Sequence, residues 1–137
     1  MITGCNHFGI AGYYSTMALQ HKMLGMSFTN ASPLMTPTRG KNPVFGTNPI
    51  SLSAPGKDGD SMVLDMATSV VALGKVELAA RKQEPIPDGW AIDSNGKSTT
   101  DPNQYHALYP LGGLERSSMC ILQSKLFIIS MLNLKLQ

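Results

Sequence analysis

Charge is scarce in this 137-residue chain. Asp, Glu, Lys and Arg make up 15% of it and the net charge is +2, against a usual charged share of about a quarter. Its basic residues form no run, with Arg81-Lys82 and Lys22 standing as isolated charges. Nucleic acid and anionic membrane surfaces are therefore excluded as expected partners. Cys5 and Cys120 are the two cysteines, too few for a disulfide framework; two free thiols in a reducing, cytoplasmic compartment are expected. No stretch reaches the roughly 18 uninterrupted apolar residues of a membrane span, and the N-terminus has neither the basic region nor the apolar region of a secretory leader. There is no G-x-G-x-x-G after a strand, which argues against a Rossmann cofactor site, and no G-x-S-x-G, which argues against an α/β hydrolase. His7, His21 and His106 show no metal-ligand spacing with one another, so no metal is expected.

What is present is 42% hydrophobic residues, at a length that suits one domain burying about 70% of its surface. A chain this lightly charged hides surface either in a core or against another subunit. Residues 2–5 read as a strand end with Cys5 buried, and Asn6 offers a cap to a helix over 10–24. Gly25 is the expected stop, followed by a short strand over 26–30. Residues 31–47, punctuated by Pro33, Pro37, Gly40, Pro43 and Gly46, read as a long irregular segment, either a binding loop or disordered. Strands are expected over 49–54 and 62–65 around a turn at 55–60. A second helix spans 70–82, with Thr68 or Ser69 as its cap and Pro85 and Pro87 beyond its end; Gly74 inside it costs about 1 kcal/mol relative to alanine and calls for a packing or ligand-approach reason. A strand over 90–93, a hairpin-type turn at 94–97 and an irregular apolar stretch over 105–114 follow. Neither repeats nor low-complexity tracts occur.

The stretch that organises the rest is Asn6-His7-Phe8-Gly9-Ile10-Ala11-Gly12-Tyr13-Tyr14. Histidine exchanges protons near neutrality, and Gly9 and Gly12 admit a close approach by backbone or ligand. By itself this reads either as a general acid/base at a helix start or as a capped histidine without chemistry. Asn6-His7-Phe8-Gly9 with Gly12-Tyr13-Tyr14 resembles the central motif of the type-2 malate/L-lactate dehydrogenases, and four further blocks follow in that family's order: Gly46-Thr47-Asn48-Pro49-Ile50, Asp65-Met66-Ala67-Thr68-Ser69 with Gly74-Lys75, Ile86-Pro87-Asp88-Gly89-Trp90-Ala91, and Pro110-Leu111-Gly112-Gly113. Ureidoglycolate dehydrogenase and diketogulonate reductase share the resemblance.

The resemblance implies an α/β fold with a mixed sheet and helices, non-Rossmann, of which residues 1–116 would be the central cofactor-binding part. Residues 117–137 depart from the family: the Lys-Gly-aromatic-Gly motif expected after Gly113 is missing, and the tail reads as a divergent end with an aggregation-prone window over 126–132. The family's N-terminal part is also missing, so a truncated form is expected. The implied activity is NAD- or NADP-dependent hydride transfer between nicotinamide and a small 2-hydroxy or 2-oxo acid such as malate or lactate, in a homodimer. His7 takes the acid/base role by this resemblance. Asp65, Met66 and Ala67 align with a cofactor-contacting segment, Ala31 lies beside a cofactor-touching position, and Thr47 and Asn48 fall near cofactor or substrate. Read from the residues alone, Asp65 serves equally as a carboxylate favouring the N-terminus of the second helix, and Thr47-Asn48 as a simple turn. Arg39, Arg81 and Arg116 lie in no family substrate motif, which assigns the anchor for the substrate carboxylate to the missing part. The competing reading is a non-catalytic interaction protein that pairs with a full-length copy.

Overall fold

A computed structural model describes residues 3–113. The expected tail over 117–137, with Cys120, lies outside the described residues. Contacts divide the chain into two compact units: residues 3–29 with 49–66, and residues 30–48 with 67–113.

The first unit is a three-stranded antiparallel sheet with one helix on it. Helix α1 (Ala11–Met17) runs on into a 3₁₀ turn (Ala18–His21). It ends at Lys22, not at Gly25: Lys22 takes the left-handed conformation (φ 56°) and donates its N–H to the carbonyls of Ala18 and Leu19. Gly25 instead opens strand β1 (Gly25–Phe28), where a Cβ would collide with the Ser15 carbonyl oxygen. Its conformational freedom matters less than its missing side chain, which lets β1 lie against α1. β2 (Ile50–Pro55) and β3 (Ser61–Met66) form the expected hairpin, and the order is β1-β2-β3. Residues 3–5 form no strand and Cys5 is exposed; among the described residues no strand pairs with them.

Alternation along these strands separates two unlike faces. Gly25, Ser53 and Val63 pair in register, as do Ser27, Ser51 and Asp65. This small, mostly polar face receives α1: the Ser15 hydroxyl lies 2.7 Å from that of Ser51 and 2.8 Å from that of Ser53, and Ser51 donates to the Leu64 carbonyl at 2.9 Å. Ser15, Ser51 and Ser53 are all buried, and their mutual pairing answers the requirement that buried hydroxyls find partners. The other face aligns Met26 with Leu52 and Leu64, Phe28 with Ile50 and Met66, and Ala54 with Met62. It is wholly apolar, yet Met26 and Phe28 remain 63% and 59% exposed.

The second unit packs helix α2 (Leu73–Lys82) with the small sheet β5-β4-β6, made of β4 (Ala91–Ile92), β5 (Ser98–Thr99) and β6 (Ala107–Leu108). Val76 of α2 joins Met35, Val71, Ile86, Ala91 and Leu108 in one buried cluster. The expected cap at Thr68 or Ser69 is absent, since Thr68 bonds Thr47 and Ser69 bonds the Val71 carbonyl; α2 starts after Ala72 with no side-chain cap. Gly74 is exposed and a Cβ there would meet nothing within 4 Å, so no packing reason for it exists among the described residues. The stretch expected to be irregular contains β6, which pairs with β4 and also bridges Met35 at Leu108. Residues 31–47 form the expected loop, closed by a bridge between Met35 and Phe45. In the turn after β4, Asp93 accepts from the N–H groups of Lys97 and Asn95, each at 2.9 Å; chiefly the Lys97 bond holds its carboxyl below the ordinary value.

Candidate functional site

In the first unit the site residues gather at the start of α1. His7 is exposed, and its Nδ1 accepts the Gly9 N–H at 3.0 Å. An accepting Nδ1 carries no proton, so the neutral ring holds its proton on Nε2. Gly9 has φ +94°, a conformation that suits glycine and that turns the chain from this peptide toward α1.

Asn6 does not cap α1. The N-cap is Ile10, without a side-chain bond, and the cap comes from a distant strand: Asp65 Oδ2 accepts the Gly12 N–H at 2.9 Å across 53 residues of sequence. Glycine at position 12 leaves room for the Asp65 carboxylate, which a Cβ there would displace. The dipole reading of Asp65 is thus moved from the second helix to the first. Asp65 is exposed at the penultimate position of β3, and Met66, half-buried, is the last residue of that strand. Removing the cap by Asp65→Ala is expected to destabilise the start of α1 by about 1 kcal/mol, the usual loss for an N-cap acceptor. Amide hydrogen exchange at Gly12 and Tyr13 measures this; rates equal to wild type would remove the capping role.

In the second unit the expected contacts also come together. Asn48, at φ 29°, accepts the Ala31 N–H on Oδ1 at 3.0 Å, and a Cβ on Gly46 would collide with the Ala31 carbonyl. Thr47 uses its backbone, its carbonyl accepting the Thr68 N–H at 2.8 Å and the Thr68 hydroxyl at 3.0 Å. Ala67, half-buried, directly precedes Thr68. Asn48 therefore clasps the two ends of the 31–47 loop, and Thr47 ties that loop to the segment after β3. Among the described residues no three His, Cys, Asp or Glu side chains group so as to hold a metal ion, and no helix is long and apolar enough to cross a membrane.

Sequence reading gave Thr68 only a capping role, and none to the serine trio or to Tyr14. The Ser51-Leu52-Ser53 alternation was a signal that a small polar sheet face receives a helix; Tyr14 carried none beyond its place in the motif.

The sequence profile of the family described as malate/L-lactate dehydrogenase matches residues 1–126. The chain belongs to that family. It is 48% identical over 119 residues to the malate/(S)-sulfolactate dehydrogenase of Methanothermus fervidus, covering 85% of this chain and 35% of that protein. It is 41% identical over 123 residues to the (2R)-3-sulfolactate dehydrogenase (NADP(+)) of Chromohalobacter salexigens, covering 88% and 37%. Among solved structures, the sulfolactate dehydrogenase of Methanocaldococcus jannaschii superposes with a TM-score of 0.71 at 46% identity, covering 80% of this chain and 32% of that one. The expected mixed α/β fold of the family is met, and the chain spans about a third of the length of the curated relatives it matches, so it represents part of the family domain.

Proposed function

We propose that this chain carries the proton-transfer and cofactor-facing part of a nicotinamide-dependent dehydrogenase of small 2-hydroxy and 2-oxo acids such as malate and lactate. The observation that carries the reading is the bond from Gly12 to Asp65: it ties the helix that follows His7 to the strand that ends in Asp65-Met66, so the two candidate groups share one anchored structure. Relatives named for both dinucleotides, the NADP(+) enzyme above and a ureidoglycolate dehydrogenase (NAD(+)) of Escherichia coli, support a nicotinamide cofactor, either NAD or NADP. The residues fit such a group. Asp65 is exposed, and Gly12 engages one of the several acceptor positions of its carboxylate, leaving others for a ribose hydroxyl or an amide. Ala67 and Ala31 add only a methyl each to a close approach. When bound, the dinucleotide supplies hydride chemistry; His7 handles the hydroxyl proton, Asp65 and Met66 in the first unit and Ala67 and Ala31 in the second are the assigned cofactor contacts, and Thr47 and Asn48 keep the 31–47 loop in place.

The apolar sheet face, with Met26 and Phe28 more than half exposed, supports two further elements of the reading: a homodimeric full-length enzyme, and, as a second function for this chain, non-catalytic pairing with a full-length copy. Free Cys5 is in keeping with a cytoplasmic setting.

Expressed alone, the 137-residue chain is expected to turn over malate and lactate far below ~10 per second, a typical enzyme rate, because sites built from several groups lose activity non-additively when members are absent. Titration with each dinucleotide, followed by amide resonances, is expected to move residues 65–67. Resonances unmoved at millimolar cofactor would overturn the cofactor assignment, and turnover near the typical rate would overturn the expectation of weak activity.

A further inference from the structure

One peptide plane connects His7 to the helix behind it. Tyr14 lies within α1, and its hydroxyl donates to the Phe8 carbonyl. Its ring also stacks on that of Phe8, with centroids 4.9 Å apart and planes at 18°, and Tyr13 meets it edge-on at 5.3 Å. The Phe8 carbonyl and the Gly9 N–H belong to the same peptide unit. Among the described residues no peptide bond is cis, so the two groups point in opposite directions. On one side the unit accepts from Tyr14; on the other it donates to His7 Nδ1.

We propose that Tyr14 is a positioning residue for His7, holding the imidazole in its Nε2–H tautomer through the Phe8–Gly9 peptide. Its bearing on catalysis rests on the reading of His7 as the proton-transfer residue. Three features make the arrangement directional. Donation to the Phe8 oxygen polarises the amide and strengthens the donor on its far side, as hydrogen bonds in series do. The ring stack keeps residue 8 beside the helix when the hydroxyl bond fluctuates. Gly9, at φ +94°, supplies the backbone turn that sets the helix, and with it Tyr14, against the Phe8 carbonyl, where a side chain would be strained.

The tautomer has a chemical consequence. A neutral ring locked in this way offers Nε2–H as a donor to a substrate oxygen, the arrangement suited to a 2-oxo acid. Acting as a base through Nε2 requires the ring proton on Nδ1, and the Gly9 N–H opposes that state until it lets go. Tyr14 therefore biases the resting ring toward the donor form.

The test is nitrogen-15 NMR of the ring in the 137-residue chain, at a pH where the imidazoles are neutral. Wild type is expected to show His7 as a single Nε2–H tautomer, with His21 and His106 as internal references. Tyr14→Phe keeps the stack and removes the hydroxyl; it is expected to mix the His7 tautomers and to speed exchange of the Gly9 amide about fivefold, the effect of losing one ordinary hydrogen bond, while the Lys22 amide at the end of the helix keeps its rate. Phe8→Leu, which keeps the peptide but loses the stack, is expected to retain the tautomer. A single Nε2–H tautomer together with wild-type Gly9 exchange in Tyr14→Phe would overturn the proposal, as would loss of the tautomer in Phe8→Leu alone. Turnover is not read, so failure here leaves the acid/base assignment of His7 to its own test.

Discussion

His7→Asn in a full-length enzyme containing this segment is expected to lower kcat at least ~100-fold, the scale of general acid/base catalysis. Asparagine is chosen because its side-chain oxygen can still accept the Gly9 N–H, so the turn at residues 7–9 need not collapse. What it cannot do is exchange a proton near neutrality. The loss should therefore appear in kcat, with cofactor affinity nearly unchanged, since Asp65, in the segment proposed to face the cofactor, is anchored through Gly12 and not through residue 7. Steady-state kinetics with each dinucleotide, beside a direct binding titration, separates the two. A variant with near-wild-type turnover would show that another group moves the proton and would leave His7 as a structural element of the turn.

How far such roles can be read from sequence depends on the distance over which the deciding contacts act. The strands at 50–55 and 61–66 and the turn between them are local matters, set by alternation and turn chemistry, and both were legible. The helix caps were not. Asn6 and Thr68 have the chemistry of N-caps and stand near helix starts, but α1 is capped by Asp65, 53 residues from the amide it accepts, and Thr68 is drawn off by the Thr47 carbonyl. A local rule has no access to a competing partner brought in by the fold. β6 went unread for a similar reason: at two residues, it exists because β4 lies beside it. The candidate site was named as a set of residues through the family motifs, whereas the peptide linking Tyr14 to His7 depends on the φ of Gly9 and on the direction of one carbonyl, neither of which a residue pattern specifies.

Two glycines make the largest stability prediction, because the same substitution should act with opposite sign at each. In the sequence Gly25 reads as a helix stop and Gly74 as a costly residue inside a helix. At Gly25 a Cβ would collide with the Ser15 carbonyl oxygen, lie 2.7 Å from its carbon and 3.0 Å from the Ala18 Cβ. The first two are backbone atoms of α1 and cannot rotate aside, so Gly25→Ala must push the helix off the sheet. Overpacking of this kind costs about 1–3 kcal/mol. Displacing α1 also parts the buried Ser15 hydroxyl from Ser51 and Ser53, and leaving buried polar groups unpaired adds about 1–3 kcal/mol. The expected loss is therefore at least ~2 kcal/mol, and its local mark is faster amide exchange throughout α1. At Gly74 the position is exposed and a Cβ meets nothing within 4 Å; alanine there only restores helix propensity, a gain of about 0.5–1 kcal/mol. Urea unfolding of the two variants beside wild type, with exchange measured in α1 and α2, checks both signs. A neutral Gly25→Ala would mean that α1 does not sit on the serine face as closely as described. A destabilising Gly74→Ala would mean that something outside residues 3–113 approaches that turn of α2, the packing or ligand reason that the described residues do not supply.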